Sequence, residues 1–535
     1  MFDYIIVGAG SSGCLLANRL SEDPANQVLL LEAGRPDKDP LIHIPGAYGK
    51  LFRKSYDWGY WTEPQLSLNG RRLYIPRGKT LGGCSSTNAM AYVRGNKADY
   101  DHWSSLGCDG WSYEEVLRYF TRSECKQQPD EVDGDYHDTD GELHVTFNQA
   151  FETPFARAFM AATEIMSLPA VTDYNGSSQR GVGRFQFTIK NGKRHSAAGA
   201  FLKPVLDRTN LTVITGALTD KVLIENDRAT GVEVVRSRGT RETIMARKEV
   251  ILSAGTINSP QVLLRSGIGP SYSLERQKIS PKRVLEGVGR NLQDHLFFPV
   301  SATAHQQEGL NHVIPFRAQV RELIKYAQGK GALTIGPLEA VAFFNLEDRG
   351  SERCNFQFHF APLHIGKGYD YDAYDLSTFP RRDGFTILPS LLHPKSRGFV
   401  DLSSSDPTAA PIIQPSFLSD DADMEQLVQG GQLALDVLQS AHFDPYRKEI
   451  VAPLKCDTDE DWRMHIRRSV ETIYHPVGTC KMGVDEFAVV DPELRVHGIE
   501  ALRVVDASIM PTIITGNTNA PCYMIAEKAA DLILG

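Results

Sequence analysis

The chain opens on a short apolar, β-branched run, Asp3-Tyr4-Ile5-Ile6-Val7. It breaks into Gly8-Ala9-Gly10-Ser11-Ser12-Gly13, after which Leu15, Leu16, Ala17 and Leu20 recur at helical spacing. The pattern predicts strand, glycine turn, helix. A second apolar run, Val28-Leu29-Leu30-Leu31, ends on Glu32 with Ala33 beside it, about twenty residues past the glycines, where a dinucleotide site needs an acceptor for a ribose hydroxyl. Gly8 permits the tight turn, Gly10 lets a pyrophosphate approach the backbone, and Gly13 lets helix and strand pack closely. The helix then presents unpaired N–H groups to the phosphate. An acid at position 32 in place of a base argues for an unphosphorylated ribose, as in FAD or NAD.

After Gly34 the pattern turns irregular, rich in Pro, Gly and aromatics through Pro45, Tyr56, Trp58, Trp61 and Pro64, and reads as a long covering loop. The segment from Pro76 to Met90 holds Arg77, Gly78, Gly82, Gly83, Cys84, Asn88 and Ala89. Its Gly78-Lys79-Thr80 is no Walker loop, because position 73 is Leu73 and not glycine. It reads instead as a second backbone cradle for a flat or phosphorylated ligand.

Between Leu211 and Gly255 the pattern is β. Leu211–Ile214, Lys221–Glu225, Gly231–Val235 and Val250–Ser253 are runs with a turn at Asn226-Asp227, which predicts a small antiparallel insert returning the chain to a parallel sheet. Ser259-Pro260 are expected to open a helix over Gln261–Arg265. From Leu296 to His465 the alternation of strand and helix is lost and Phe297, Phe298, Phe343, Phe344, Phe356, Phe358 and Phe360 accumulate. That predicts a second, α+β part on mixed or antiparallel sheet, with phenylalanines furnishing a substrate pocket. The fold class expected is α/β, a Rossmann-like parallel sheet with an antiparallel β insert. Residues 1–150, 196–295 and 466–535 would bind the nucleotide; 151–195 and 296–465 would bind the substrate.

The last seventy or so residues carry candidate chemistry. His475 stands between Tyr474 and Pro476, and Leu502–Val505 is a buried strand ending at Asp506-Ala507. Thr515-Gly516-Asn517-Thr518-Asn519-Ala520-Pro521 leads into a helix, with Asn519 as expected N-cap and Pro521 in the first turn.

Together GAGSSG with Glu32, GKTLGGCSSTNAM, GTINSPQVLLRSGIG, YHPVGTCKMG and GNTNAP resemble the glucose/methanol/choline (GMC) oxidoreductases over nearly the whole chain, close to the bacterial choline dehydrogenase-like members. The resemblance implies FAD, with Glu32 at the adenosine ribose, Val222 near the adenine, and the loop from Gly82 to Met90 beside the isoalloxazine. It implies that His475 is the catalytic histidine and Asn517 its partner, with Asn519 at the flavin. In covalently flavinylated members a histidine precedes the loop asparagine. Here that residue is Thr87, so FAD is expected to be non-covalent. The implied reaction is oxidation of a primary alcohol, with an imidazole removing the hydroxyl proton as hydride passes to the flavin. Oxygen or another acceptor would reoxidise the flavin. An aromatic or other apolar alcohol is favoured. Choline is the alternative, with Glu339 meeting its ammonium and Trp58, Trp61 and Tyr474 adding aromatic faces. A lyase or decarboxylase on the same scaffold is a further alternative.

Charge and cysteine usage narrow the class. With 57 basic against 66 acidic residues and a net charge of −9, nothing favours nucleic acid as a partner. The 8 cysteines show no CxxC pair and no zinc-like spacing, which argues against a disulfide framework or a metal site and for a cytoplasmic protein. The first strand follows Met1 directly, leaving no room for a signal peptide, and no apolar run is long enough to span a membrane. Peripheral membrane association stays open. Oligomeric state is not encoded in these patterns.

Overall fold

The β-branched run after Met1 forms the strand Phe2–Val7 in a computed structural model that describes every residue except 148–149, 237–238 and 370. The strand sits inside a parallel array. Val28–Glu32 pairs with it on one side, Val7 opposite Leu31, and the end of Arg241–Leu252 pairs on the other, Val7 opposite Leu252. Leu211–Thr215 and Leu502–Val504 extend the array outward, also in parallel. The two inner strands Phe2–Val7 and Val28–Glu32 read as nearly continuous apolar runs because both faces of the parallel sheet are covered there.

The antiparallel insert consists of Ala217–Glu225, Arg228–Arg236 and the start of Arg241–Leu252. Its first hairpin closes over two residues, Asn226 and Asp227, with φ of 50° and 56°, the left-handed pair that a tight hairpin of matching twist requires.

The helix after this insert begins earlier than the pattern predicts, running Gly255–Arg265 with Pro260 inside it. A proline there removes one N–H and leaves the carbonyl four residues back without its helical donor. That carbonyl belongs to Thr256, and the hydroxyl of Thr479 donates to it at 2.6 Å. The helix is thus tied to the segment that carries His475.

A second sheet of eight strands pairs antiparallel throughout, drawing on Gly181–Arg184, Leu296–Phe297, Val300–Ala304, Ala340–Phe344, Phe356–Ala361, Gly384–Leu391, Arg447–Ala452 and Glu471–Thr472. Period-two alternation sends Phe356, Phe358 and Phe360 to one face, into a core with Trp462 and the helix Asp421–Gln439. Gly430 and Gly431 of that helix admit the rings, since a Cβ there would fall 2.2 Å from Phe356 and 2.6 Å from Trp462. The phenylalanines expected to furnish a pocket are therefore mostly core. Of the seven, Phe297 alone lines the cavity described below.

Two connections position the site. Leu296–Phe297 pairs with Glu471–Thr472, Leu296 opposite Thr472, which lays residues 294–295 alongside 473–475. The closing helix Asn519–Leu534 packs against Ser11–Leu20, tied by the Ser11 hydroxyl to Asn519 Oδ1 at 2.7 Å and by a buried Arg19–Glu527 ion pair at 2.6 Å. Among the described residues no helix is long and apolar enough to cross a membrane.

Candidate active site

The loops between the two sheets enclose a cavity of about 800 Å³. It is lined by Gly8, Gly10, Ser11, Ser12, Glu32, Ala33, Arg77, Gly78, Gly83, Cys84, Asn88, Ala89, Met90, Tyr474, His475, Asp506, Ala507, Asn517, Thr518 and Asn519. Gly13, Gly82, Val222 and Glu339 lie outside its lining.

At one end the glycines form a close-packed cradle. A Cβ on Gly13 would sit 1.9 Å from the Gly8 carbonyl, and one on Gly83 would sit 2.8 Å from Gly10 Cα. Gly10 itself has nothing nearer than 3.9 Å, so its backbone is open to the cavity. The helix Ser11–Leu20 starts without a side-chain cap, leaving its first N–H groups free for an anion. Glu32 accepts from the Ala9 and Gly34 N–H groups at 3.0 and 2.7 Å, and burial pushes its carboxyl up to about 7. Asp506 accepts from Gly255 N, Ser259 Oγ and Ser508 N, holding the start of the Gly255–Arg265 helix.

Three expectations are corrected. Val222 is buried in the first core and its N–H donates to Ser266 Oγ at 2.8 Å. The cavity takes Ala217, Leu218 and Thr219 from that strand instead, and the pairing register shifts just beyond them, between Thr219 and Lys221. Glu339 already pairs with Phe360 through its N–H, and alternation turns Leu338 to the cavity and Glu339 away. Its carboxylate accepts from the Thr153 N–H and hydroxyl at 2.9 and 2.5 Å. Asn519 is not the N-cap; Thr518 holds that position and the Asn519 amide receives the Ser11 hydroxyl.

At the other end His475 meets Asn517, with Asn517 Nδ2 3.1 Å from His475 Nε2. The backbone delivering His475 is over-determined. Tyr474 sits at φ 69°, a left-handed conformation costly for a tyrosine. Its N–H donates to Thr472 Oγ1 at 3.0 Å and its carbonyl accepts from Arg77 at 2.5 Å. Asp294 accepts from the Thr472 hydroxyl at 2.5 Å and from the His475 N–H at 2.8 Å. Burial pushes the His475 imidazole well below its ordinary range, with His295, His359 and Arg77 adding to the effect. The buried Oδ1 of Asn517 has no partner among the described residues.

Asp294, His295 and Thr219 were not singled out from the sequence. Gln293-Asp294-His295 is a polar triplet between Leu292 and Leu296-Phe297-Phe298, and polar groups set within an apolar run are a signal of a buried, bonded cluster.

Models of the GMC oxidoreductase family match residues 2–297 and 394–526. The chain is 41% identical to an oxygen-dependent choline dehydrogenase of Rhizobium etli, across 100% of this chain and 95% of that protein. It is also 41% identical to an alcohol dehydrogenase (acceptor) of Pseudomonas putida, across 100% and 96%. Among solved structures, pyridoxine 4-oxidase from Mesorbium loti superposes with a TM-score of 0.88 at 31% identity, covering 99% of both chains. A formate oxidase of Aspergillus oryzae does so at 0.91 and 28%, covering 99% of this chain and 98% of that one. The chain belongs to the GMC oxidoreductase family and is an FAD-dependent oxidoreductase acting on the CH–OH group of alcohols. The cradle fits that cofactor: an open Gly10 backbone, an uncapped helix start and a cavity-facing acid at Glu32 suit a dinucleotide with an unphosphorylated ribose.

Proposed function

We propose that this enzyme oxidises a primary alcohol with an apolar or aromatic skeleton to the aldehyde, with His475 as the base and Asn517 holding the reacting oxygen. The observation that carries the assignment is the 3.1 Å contact from Asn517 Nδ2 to His475 Nε2, which makes Nε2 an acceptor inside the cavity. Bound FAD supplies the hydride acceptor, its N5. Gly8, Gly10, Ser11, Ser12 and Glu32 would hold its nucleotide half; Gly83, Cys84, Asn88, Ala89, Met90 and Asn519 would hold the flavin. His475, neutral through the physiological range because burial lowers its proton affinity, takes the hydroxyl proton, a role typically worth about 10²–10⁴-fold. The entering hydroxyl displaces the Asn517 N–H from Nε2, whose one lone pair cannot serve both, and the freed amide offers its N–H to the oxygen as negative charge develops there.

An apolar substrate is supported by Leu310, Val313, Ile314, Leu338, Leu363, Ile365 and Leu388 along the cavity. The same reading divides the chain into nucleotide-binding residues 1–150, 196–295 and 466–535 and alcohol-binding residues 151–195 and 296–465. Choline is a second reading, favoured by the relative's name and by Glu471. That carboxylate lines the cavity with Trp61 and Tyr474, though it is engaged by Arg71 and Tyr374.

The test is the visible spectrum of the purified holoenzyme, followed anaerobically across a panel of primary alcohols including choline, then opened to air. Bleaching by benzylic or long-chain alcohols and not by choline is expected. Bleaching by choline alone overturns the apolar reading, and bleaching by none favours a lyase. Recovery in air separates oxygen from another acceptor. His475→Ala is expected to keep yellow FAD and lose turnover by orders of magnitude; full activity in that variant would sink the base assignment.

A further inference from the structure

His295 touches His475 from the side opposite Asn517, and the contact settles where the protons lie. His295 Nε2 is 2.9 Å from the Leu392 carbonyl, which can only accept, so that nitrogen carries hydrogen. His295 Nδ1 is 3.1 Å from His475 Nδ1, the two rings standing edge to face at 86°. A neutral His295 has spent its one N–H on Leu392, so its Nδ1 offers a lone pair and His475 Nδ1 must donate. The other end is compatible with this, since Asn517 Nδ2 lies 3.1 Å from His475 Nε2 and an amide N–H there would meet a lone pair.

We propose that His295 is a positioning residue for alcohol oxidation: by accepting from His475 Nδ1–H it fixes the tautomer in which His475 Nε2 is bare and able to receive the substrate's hydroxyl proton. The proposal rests on the reading of His475 as the base. The relay runs from the Leu392 carbonyl through His295 to His475, and its direction is set by a backbone atom that cannot change role. On proton transfer the hydroxyl O–H bond breaks, its electron pair stays on oxygen, and His475 Nε2 gains hydrogen while His475 keeps its own Nδ1–H, still donated to His295 Nδ1.

The surroundings keep the relay in this state. His295 is fully buried, and desolvation pushes its imidazole down to about 3, so a doubly protonated ring that could donate from both nitrogens is disfavoured. The titratable and charged groups facing the pair are Asp294, bonded to the His475 N–H, and His359, His393 and Arg77. Asp294 reaches the backbone and not the ring, so no carboxylate competes with His295 for Nδ1–H. The interaction differs from the familiar acid–histidine pair: the partner is neutral, so it orients the base without stabilising the imidazolium by charge.

Two measurements on the FAD-loaded enzyme test the proposal. Neutron diffraction of the deuterium-exchanged resting enzyme is expected to show deuterium on His475 Nδ1 and on His295 Nε2, with His475 Nε2 bare. Deuterium on His475 Nε2 overturns the proposal. In kinetics, His295→Leu removes the acceptor and is expected to lower kcat by about 10²–10⁴-fold, as a mis-set tautomer does elsewhere, with KM within about twofold of the parent and FAD retained. His295→Asn restores an acceptor oxygen at the Nδ1 position and is expected to recover most of kcat. Equal losses in the two variants, or full kcat in His295→Leu, overturn the relay. The base assignment fails separately, through an active His475→Ala, whatever the deuterium map shows.

Discussion

Asn517 Nδ2 and His475 Nε2 stand 3.1 Å apart across 42 positions of sequence. The distance allows one hydrogen bond, and the amide is neutral, so the imidazole is held without being charged. Replacing the amide by a carboxylate reverses that condition. In Asn517→Asp an anion adjoins the ring and favours imidazolium. Burial places the His475 titration of the parent below the 6.5 of an ordinary histidine, so the acid limb of its kcat/KM profile should fall below that pH. The limb should move upward in Asn517→Asp, with activity lost near neutrality and partly regained in alkali. A pH–rate profile checks it, and coincident limbs would refute the pairing.

The cradle tolerates no side chain at Gly13. A methyl there would lie 1.9 Å from the Gly8 carbonyl, a backbone atom that cannot step aside. Gly13→Ala should cost about 1–3 kcal/mol or more through forced separation of strand and helix, and should lower the ratio of flavin to protein absorbance. A variant with parental melting temperature and full flavin would show that the contact relaxes freely.

Thr87, which the family resemblance places where a flavin-linking histidine would stand, lines the cavity. Its hydroxyl has no nucleophilic nitrogen to bond the flavin ring. Acid precipitation of the holoenzyme should release all the yellow colour to the supernatant. Colour retained in the washed pellet would contradict this.

Glu339 should matter to stability and not to substrate. Burial raises its carboxyl from 4.5 to about 7. Below pH 4.5 the group is protonated in both folded and unfolded chains and costs nothing. As pH climbs from 4.5 to about 7 the unfolded chain ionises while the folded one holds its proton, so the carboxyl increasingly disfavours folding and then levels off. Glu339→Gln keeps an acceptor for Thr153 and removes this penalty. The variant's melting temperature should match the parent near pH 4.5 and exceed it above pH 7, reflecting a stability gain of at most about 3 kcal/mol. KM for the alcohol should not move. A gap independent of pH, or a raised KM, would refute the placement.

What the sequence disclosed follows from which interactions are local. Strand, glycine turn and helix from Tyr4 to Leu20 are set by residues adjacent in the chain, and so is the Asn226-Asp227 hairpin. Thr219 was hidden because the irregular pairing around it announces itself only through the partner strand, whereas Val222 was carried over from the family resemblance alone. The helix through Pro260 defied its proline because Thr479, over two hundred residues later, supplies the hydroxyl that a local reading cannot see. His295 was missed for the same reason: its meaning comes from Leu392 and His475, which only the paired strands bring to it.

The Ser11–Asn519 bond joins residues 508 positions apart. A ribosome therefore delivers Ser11, on one wall of the cofactor cavity, 508 residues ahead of Asn519 on the other. Cofactor capture is expected to await Asn519, so chains halted before it should emerge without flavin, a result that affinity capture of stalled nascent chains can read directly. In the interval Arg19 has Glu22 and Glu142 within the chain already made but lacks Glu527, its fully buried partner, and a chain that binds flavin on completion gains stability from it by mass action.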